Sequence, residues 1–255
     1  MTRALGGLVL LLTLPTAVPA QVSDSAAAER VRTESGIDPT RVISVASVAL
    51  EVVDFPDDRF TSAVIPRIGI GAGAWSAVLD GRIAAISSGE AGAPLVTGFG
   101  DVGLTVARAF RGGRRHAFAA AAELVVPVGS EGVGSGAVAI TPAFTWAWTL
   151  RPTLVIAAQS QWARSLLRAS GAAEQSLLTL RGYVATFRPS GWFFVLEGRV
   201  AQDFVRERAD VIVSPVAGRN IGKGLSLAGL FELPVSSRGR ERYGMLARVG
   251  AQRAF

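Results

Sequence analysis

From Arg41 to Phe255 the chain is laid out in about twelve segments of roughly ten residues. In each, apolar side chains alternate with small or polar ones, the period of a β-strand with two unlike faces. The segments are 41–53, 61–70, 75–87, 99–110, 115–126, 137–150, 153–164, 174–187, 191–205, 210–221, 224–234 and 242–255. Turn residues punctuate them: Gly112-Gly113, Arg151-Pro152, Pro189-Ser190-Gly191 and Gly222-Lys223-Gly224. Loop length follows parity. Every second connection is tight, whereas 54–60, 88–98, 127–136, 165–173 and 235–241 are long, and 206–209 alone in that set is short. Membrane barrels keep short periplasmic turns and longer outer loops. A soluble sandwich, the fold alternative, has no reason to sort its loops this way.

The hydrophobic fraction is 49% and the mean hydropathy +0.38. Charged residues nevertheless interrupt every apolar stretch after the first twenty residues, so no run is long enough for a membrane helix. At the start, Arg3, the apolar stretch Leu5 to Leu14 and Val18-Pro19-Ala20 read as a secretory signal over residues 1–20. Residues 21–40 are polar, with a helix-compatible piece from Ala26 to Glu34, and read as a periplasmic leader or a plug. Residues 41–255 form the barrel. An exported apolar chain without spanning helices is left with a large soluble β core or a closed sheet in the membrane, because lipid offers the backbone no hydrogen-bond partner. With no cysteine, neither a disulfide framework nor a thiolate metal site is available.

The net charge is +6, falling to +5 once Arg3 leaves with the signal, and Lys223 is the only lysine. The arginines are dispersed among acids, which does not make a nucleic-acid surface. In 137–150, Val138, Ile140, Phe144, Trp146, Trp148 and Leu150 share one face; in 191–205, Trp192, Phe194, Leu196 and Val200 oppose Glu197, Arg199 and Asp203. Trp146, Trp148 and Trp192, near periplasmic turns, suit an aromatic girdle. With the apolar rows facing lipid, Arg67, Asp80, Arg82, Asp101, Glu123, Arg181, Glu197, Arg199 and Arg248 line the lumen. Hairpin register places Arg67 opposite Asp80 and Arg181 opposite Glu197. These groups form either a polar constriction or a salt-bridged block.

The tail reads Tyr243, Met245, Ala247, Val249, Ala251, Arg253 and Phe255 on alternate positions. An aromatic last residue with apolar residues behind it resembles the signal read by bacterial barrel-insertion machinery, with Tyr243, Val249 and Phe255 as its residues. Catalysis finds little support. The single histidine, His116, lies beside the turn at 111–115, the wrong end for outer-leaflet lipids, and Glu197 and Asp203 are roughly 20 Å apart by strand rise. No metal-ligand cluster or cofactor motif appears.

Gly98-Phe99-Gly100-Asp101-Val102, then Val126-Pro127-Val128-Gly129, a Gly-rich stretch from Ser130 to Gly136 and Ala137-Val138-Ala139-Ile140-Thr141-Pro142 follow one another in order. Ser214-Pro215-Val216-Ala217-Gly218 and Ile221-Gly222-Lys223-Gly224 come later. This series resembles the outer-membrane transporter family named after the meta-pathway of phenol degradation. The resemblance implies a barrel that passes small, often hydrophobic or aromatic, molecules. The expectation is an all-β, transmembrane, antiparallel up-and-down β-barrel of about twelve strands. It would be a monomer in a Gram-negative-type outer membrane, with lipid, the barrel-assembly machinery and a small-molecule solute as partners and no cofactor. The alternatives are a non-conducting surface barrel whose long loops bind a partner or envelope component, and a lipid-modifying enzyme dependent on His116.

Overall fold

A computed structural model describes residues 24–90, 93–236 and 243–255; the signal read at residues 1–20 lies outside the described residues. A helix, α1 (Asp24–Glu34), precedes the strands β1 (Val45–Asp54), β2 (Phe60–Ala72), β3 (Trp75–Asp80), β4 (Ile83–Ile86), β5 (Val96–Phe99), β6 (Val102–Arg111) and β7 (His116–Val126). They continue as β8 (Ala137–Arg151), β9 (Leu154–Arg168), β10 (Ser176–Phe187), β11 (Trp192–Asp203), β12 (Arg208–Gly222), β13 (Leu225–Pro234) and β14 (Met245–Ala254). β3 with β4, and β5 with β6, each make one stave, so the wall is a closed antiparallel barrel of 12 staves. Closure is made by β1, which pairs with β14 from Val45↔Ala254 to Asp54↔Met245 and with β2 from Val45↔Gly69 to Asp54↔Phe60.

The two divided staves have local causes. Gly81 N donates to Pro66 O at 3.2 Å, and Pro66 has no N–H to return the bond, so the ladder lapses there. Beyond it, Asp80 pairs with Gly103 but Ile83 pairs with Phe99, which leaves one extra residue on the second stave. That is a β-bulge at Gly100–Asp101. The sequence reads 75–87 as one unbroken strand and 88–98 as loop. Instead the third stave is divided, and the fourth reaches back to Val96.

Alternation decides the faces. Leu50, Ile70, Leu196 and Val249 point outward and are 56%, 63%, 59% and 58% exposed, whereas the inward Glu51 and Phe193 are 3% and 0%. Apolar outside with ions inside is the inverse of a soluble sandwich and the arrangement a lipid-facing barrel requires.

The segment before β1 enters the lumen at the end that carries the tight turns. Asp24 in its first turn and Arg32 in its last oppose the helix dipole. Gly36, at φ 64, ends the helix, and a Cβ there would lie 2.5 Å from Gln252 Nε2. Ala28 and Val31 pack against Val155, Ala157, Phe187 and Phe193 of the inner wall. Ala147, Ala157 and Ala185, in the same cluster, leave room for the helix beside the two phenylalanines. Arg32 Nε donates to Asp38 Oδ2 at 2.7 Å and its NH1 to Thr149 Oγ1 at 2.9 Å. Gln252 Nε2 donates to Glu34 O at 3.1 Å, and Asn220 Nδ2 to the Glu34 carboxylate.

Leu50→Arg, near the middle of β1, is expected to cost about 2–4 kcal/mol in a bilayer. Urea titration of folding into lipid vesicles measures this; an unchanged midpoint would place Leu50 outside the hydrocarbon.

Candidate functional site

The lumen brings the predicted ionic residues into three groups. In the first, Glu51, 3% exposed, accepts from Arg248 Nε at 2.9 Å and lies 2.9 Å from Arg82 NH2. One buried carboxylate thus holds two guanidiniums, one from β14 and one from between β3 and β4. In the second, Arg67 and Asp80 sit in register, with NH2 to Oδ2 3.7 Å apart. Glu123 joins them over Gly103: a Cβ on that glycine would meet Asp80 Oδ1 and Glu123 Oε1, each at 3.1 Å. The missing side chain is the space the two carboxylates use.

The third group departs from the expected register. Arg181 pairs with Arg199, and Glu197 with Tyr183, so Arg181 is not opposite Glu197. Arg188 N donates to Trp192 O at 2.8 Å, closing a three-residue loop with Gly191 at φ 93. That loop moves the pairing by two residues, which preserves each residue's face but makes the ion pair diagonal. Glu197 Oε1 is 3.7 Å from Arg181 Nε and 3.8 Å from Arg199 NH1. Arg199 also donates to Glu232, which accepts from Tyr243 Oη at 3.1 Å. Glu232 was missed in the sequence, although carrying the alternation of Leu227, Phe231 and Leu233 outward puts it inside.

Asp101 does more than face the lumen. The bulge turns its carboxylate toward the loop between β7 and β8, where it accepts from Gly129 N at 3.3 Å and Ser135 N at 2.8 Å. Ser130 adds a bond from its N to Phe99 O at 2.8 Å, and Ser130 Oγ accepts from Phe99 N at 3.1 Å. A Cβ on Gly129 would lie 2.6 Å from Gly134 Cα, so the loop can cross itself only with glycine there. The Gly-x-Gly-Asp strand start and the Gly-rich loop are therefore two halves of one anchored structure. They border a cavity of about 510 Å³ that also touches Arg67, Asp80, Arg82 and Glu123. A second cavity of about 520 Å³ touches Arg181, Arg199, Glu232 and Tyr243; Arg82 and Arg248 reach both.

Tyr243 is a correction. It is 7% exposed, precedes β14 and turns inward to Arg199 and Glu232, so it does not share the lipid-facing row of Val249 and Phe255. The pull is its hydroxyl, which finds partners inside and would find none in lipid. Phe255 is 72% exposed, and its N–H donates to Ser44 O at 3.0 Å, beside the entry of β1. Outside, at the tight-turn end, the His116 ring stacks on Trp146 and Trp148 at 6.0 Å each. His116 Nδ1 accepts from Trp146 Nε1 at 3.2 Å. Arg108 lies over Trp75, and Arg219 over Trp192. His116 is a girdle residue among rings. Among the described residues no group of three or more metal-ligating side chains occurs.

No protein-family model and no curated protein matches the chain. Solved structures share its fold. An outer membrane channel from Pseudomonas putida F1 is 10% identical with a TM-score of 0.67, the match covering 84% of this chain and 96% of that one. The KdgM porin is 10% identical, with a TM-score of 0.59 over 83% of this chain and 99% of that one. The β domain of the Bordetella autotransporter BrkA is 14% identical, with a TM-score of 0.51 over 84% and 99%. At these identities the likeness is one of fold: a transmembrane antiparallel β-barrel.

Asp101→Ala removes the acceptor for two loop N–H groups, a loss of about 1.5–3 kcal/mol per bond to a charged group. Hydrogen exchange at residues 129–135 is expected to accelerate while exchange in β8 to β12 stays slow. Unchanged loop protection would mean that Ser130 alone holds the loop.

Proposed function

We propose that this chain is a monomeric channel of a Gram-negative-type outer membrane that passes small solutes. The tight turns, the N-terminal segment and Phe255 lie on the periplasmic side, and the long loops outside. The reading rests on one observation. The loop half of the barrel is lined by ion pairs around cavities of about 510 and 520 Å³ instead of being closed by apolar packing. A lumen of this kind selects by charge pattern and width. Fold likeness to a porin and to an outer membrane channel supports the reading without identifying a solute. The resemblance of residues 98–142 and 214–224 to the phenol meta-pathway family favours small hydrophobic or aromatic solutes. Val249 and Phe255, outward on the last strand, are the residues offered to the assembly machinery.

The second reading, a non-conducting surface barrel, is favoured by α1, which fills the tight-turn half of the lumen. The two readings separate in planar bilayers. The intact chain is expected to conduct weakly and a variant lacking residues 24–40 strongly. A barrel silent in both forms would refute transport and leave the surface-scaffold reading.

A further inference from the structure

Above α1 the lumen holds a third cavity, of about 380 Å³, with a divided lining. Toward the helix it is apolar: Tyr183, Phe193, Val195 and Val216 from the wall, with Ile37 from the N-terminal segment. Arg67, Arg181 and Arg248 line the same space, with Glu197 the one acid among the lining residues. Arg248 is committed to Glu51 by its hydrogen bonds. Arg67 and Arg181 are not. Each has an acid 3.7 Å away, and neither donates a hydrogen bond among the described residues.

Other polar groups on the cavity are also unmet. Arg181 Nε, Tyr183 Oη and Ser226 Oγ are buried and have no hydrogen-bond partner among the described residues. Tyr183 and Ser226 are only 8% and 3% exposed. Folded proteins satisfy the large majority of such groups, and one left unmet costs about 1–3 kcal/mol. All three belong to residues that line this one cavity, beside the guanidinium of Arg67. The arrangement has the form of a ligand pocket, mostly apolar with a few placed polar groups, and its volume is in the range of small-molecule sites.

We infer that this cavity is a binding site for a small organic anion: a monocarboxylate with a single aromatic or similarly compact apolar body. Guanidinium forks match a carboxylate in geometry and charge, so Arg67 and Arg181 take the head group. Ile37 and Val216, both only partly buried, offer apolar surface to the body. A neutral hydrophobe would leave the arginine donors unmet, and an inorganic anion would leave the apolar lining wet. The N-terminal segment closes the cavity toward the tight-turn end, which limits the ligand to something short. The inference names a solute class for the proposed channel and rests on that reading only in requiring the lumen to be reached from the loop end.

The test is calorimetric titration of the full chain in detergent micelles with benzoate, benzyl alcohol and acetate. Benzoate is expected to bind saturably, and the other two at least about tenfold more weakly. Arg67→Gln with Arg181→Gln is expected to weaken benzoate by at least about tenfold. Because those changes leave Asp80 and Glu197 less well compensated, the pair Arg67→Lys with Arg181→Lys is measured beside it. It keeps the charges, removes the fork and should still weaken benzoate. Absence of saturable benzoate binding, equal binding of benzyl alcohol, or unchanged binding in the lysine pair overturns the site. Bilayer recordings keep the two failures apart. A conducting barrel that ignores benzoate defeats the site alone, and a silent barrel that binds benzoate defeats transport alone.

Discussion

Closure of the sheet through β1 is the constraint from which the rest of the molecule follows. Ten residues of β1 pair on one side with β14 and on the other with β2, so neither margin of the sheet is left with unpaired N–H and C=O groups. In water an open edge would be a liability; in hydrocarbon it would be prohibitive. Once the cylinder is closed, a side-chain period of two leaves no freedom. If Leu50 and Val52 face lipid, Glu51 must face the interior. The ions of the lumen are the complement of an apolar exterior, and each then needs a partner within reach.

How well each ion is partnered varies along the lumen, and the variation carries the functional argument. Glu51, almost fully buried, is bracketed by two arginines, as a carboxylate in a narrow, poorly hydrated space requires. Glu232 is served by Arg199 and Tyr243 together. Arg67 and Arg181 are held only at 3.7 Å and keep their donors. A wall built solely to fill itself would have brought these last two into contact with their acids. Both arginines line the cavity nearest the helix.

Much of this was legible in the sequence because it is local. Strand positions follow from alternation and turn residues, and segments such as 115–126 and 137–150 lie within a residue of the strands. Loop parity survives intact, as does the inward direction of Arg67, Asp80, Glu123 and Arg199. What was not legible depends on geometry that no local pattern encodes. The pairing of Arg181 with Arg199 hinges on the length of the loop that Gly191 closes. The bulge at Gly100–Asp101 lies in the register between the third and fourth staves, Asp80 with Gly103 but Ile83 with Phe99. Tyr243 continues the alternating row of β14 on paper, yet its hydroxyl is drawn to a glutamate on the preceding strand.

The placement of residues 24–40 was open between leader and plug, and the reason is physical. The segment is polar enough for water, and its apolar residues are few: Ala26, Ala27, Ala28, Val31, Ile37 and Pro39. Its strongest interactions are internal. Arg32 binds Asp38, and Arg41 binds Glu29, all within one stretch of chain. Contacts with the wall are fewer and use neutral wall side chains: Thr149 meets the Arg32 guanidinium, Asn220 the Glu34 carboxylate and Gln252 the Glu34 carbonyl. Withdrawing the segment as a unit would carry its ion pairs with it and strand no buried wall charge. The tight-turn half would then present an apolar wall that includes Val155, Ala157, Phe187 and Phe193 beneath the arginines of the loop half. A lumen sealed by a self-contained insert can be opened without dismantling the charge pairs of its wall. A lumen sealed by its own salt bridges cannot, because opening it would leave unpaired ions in the barrel.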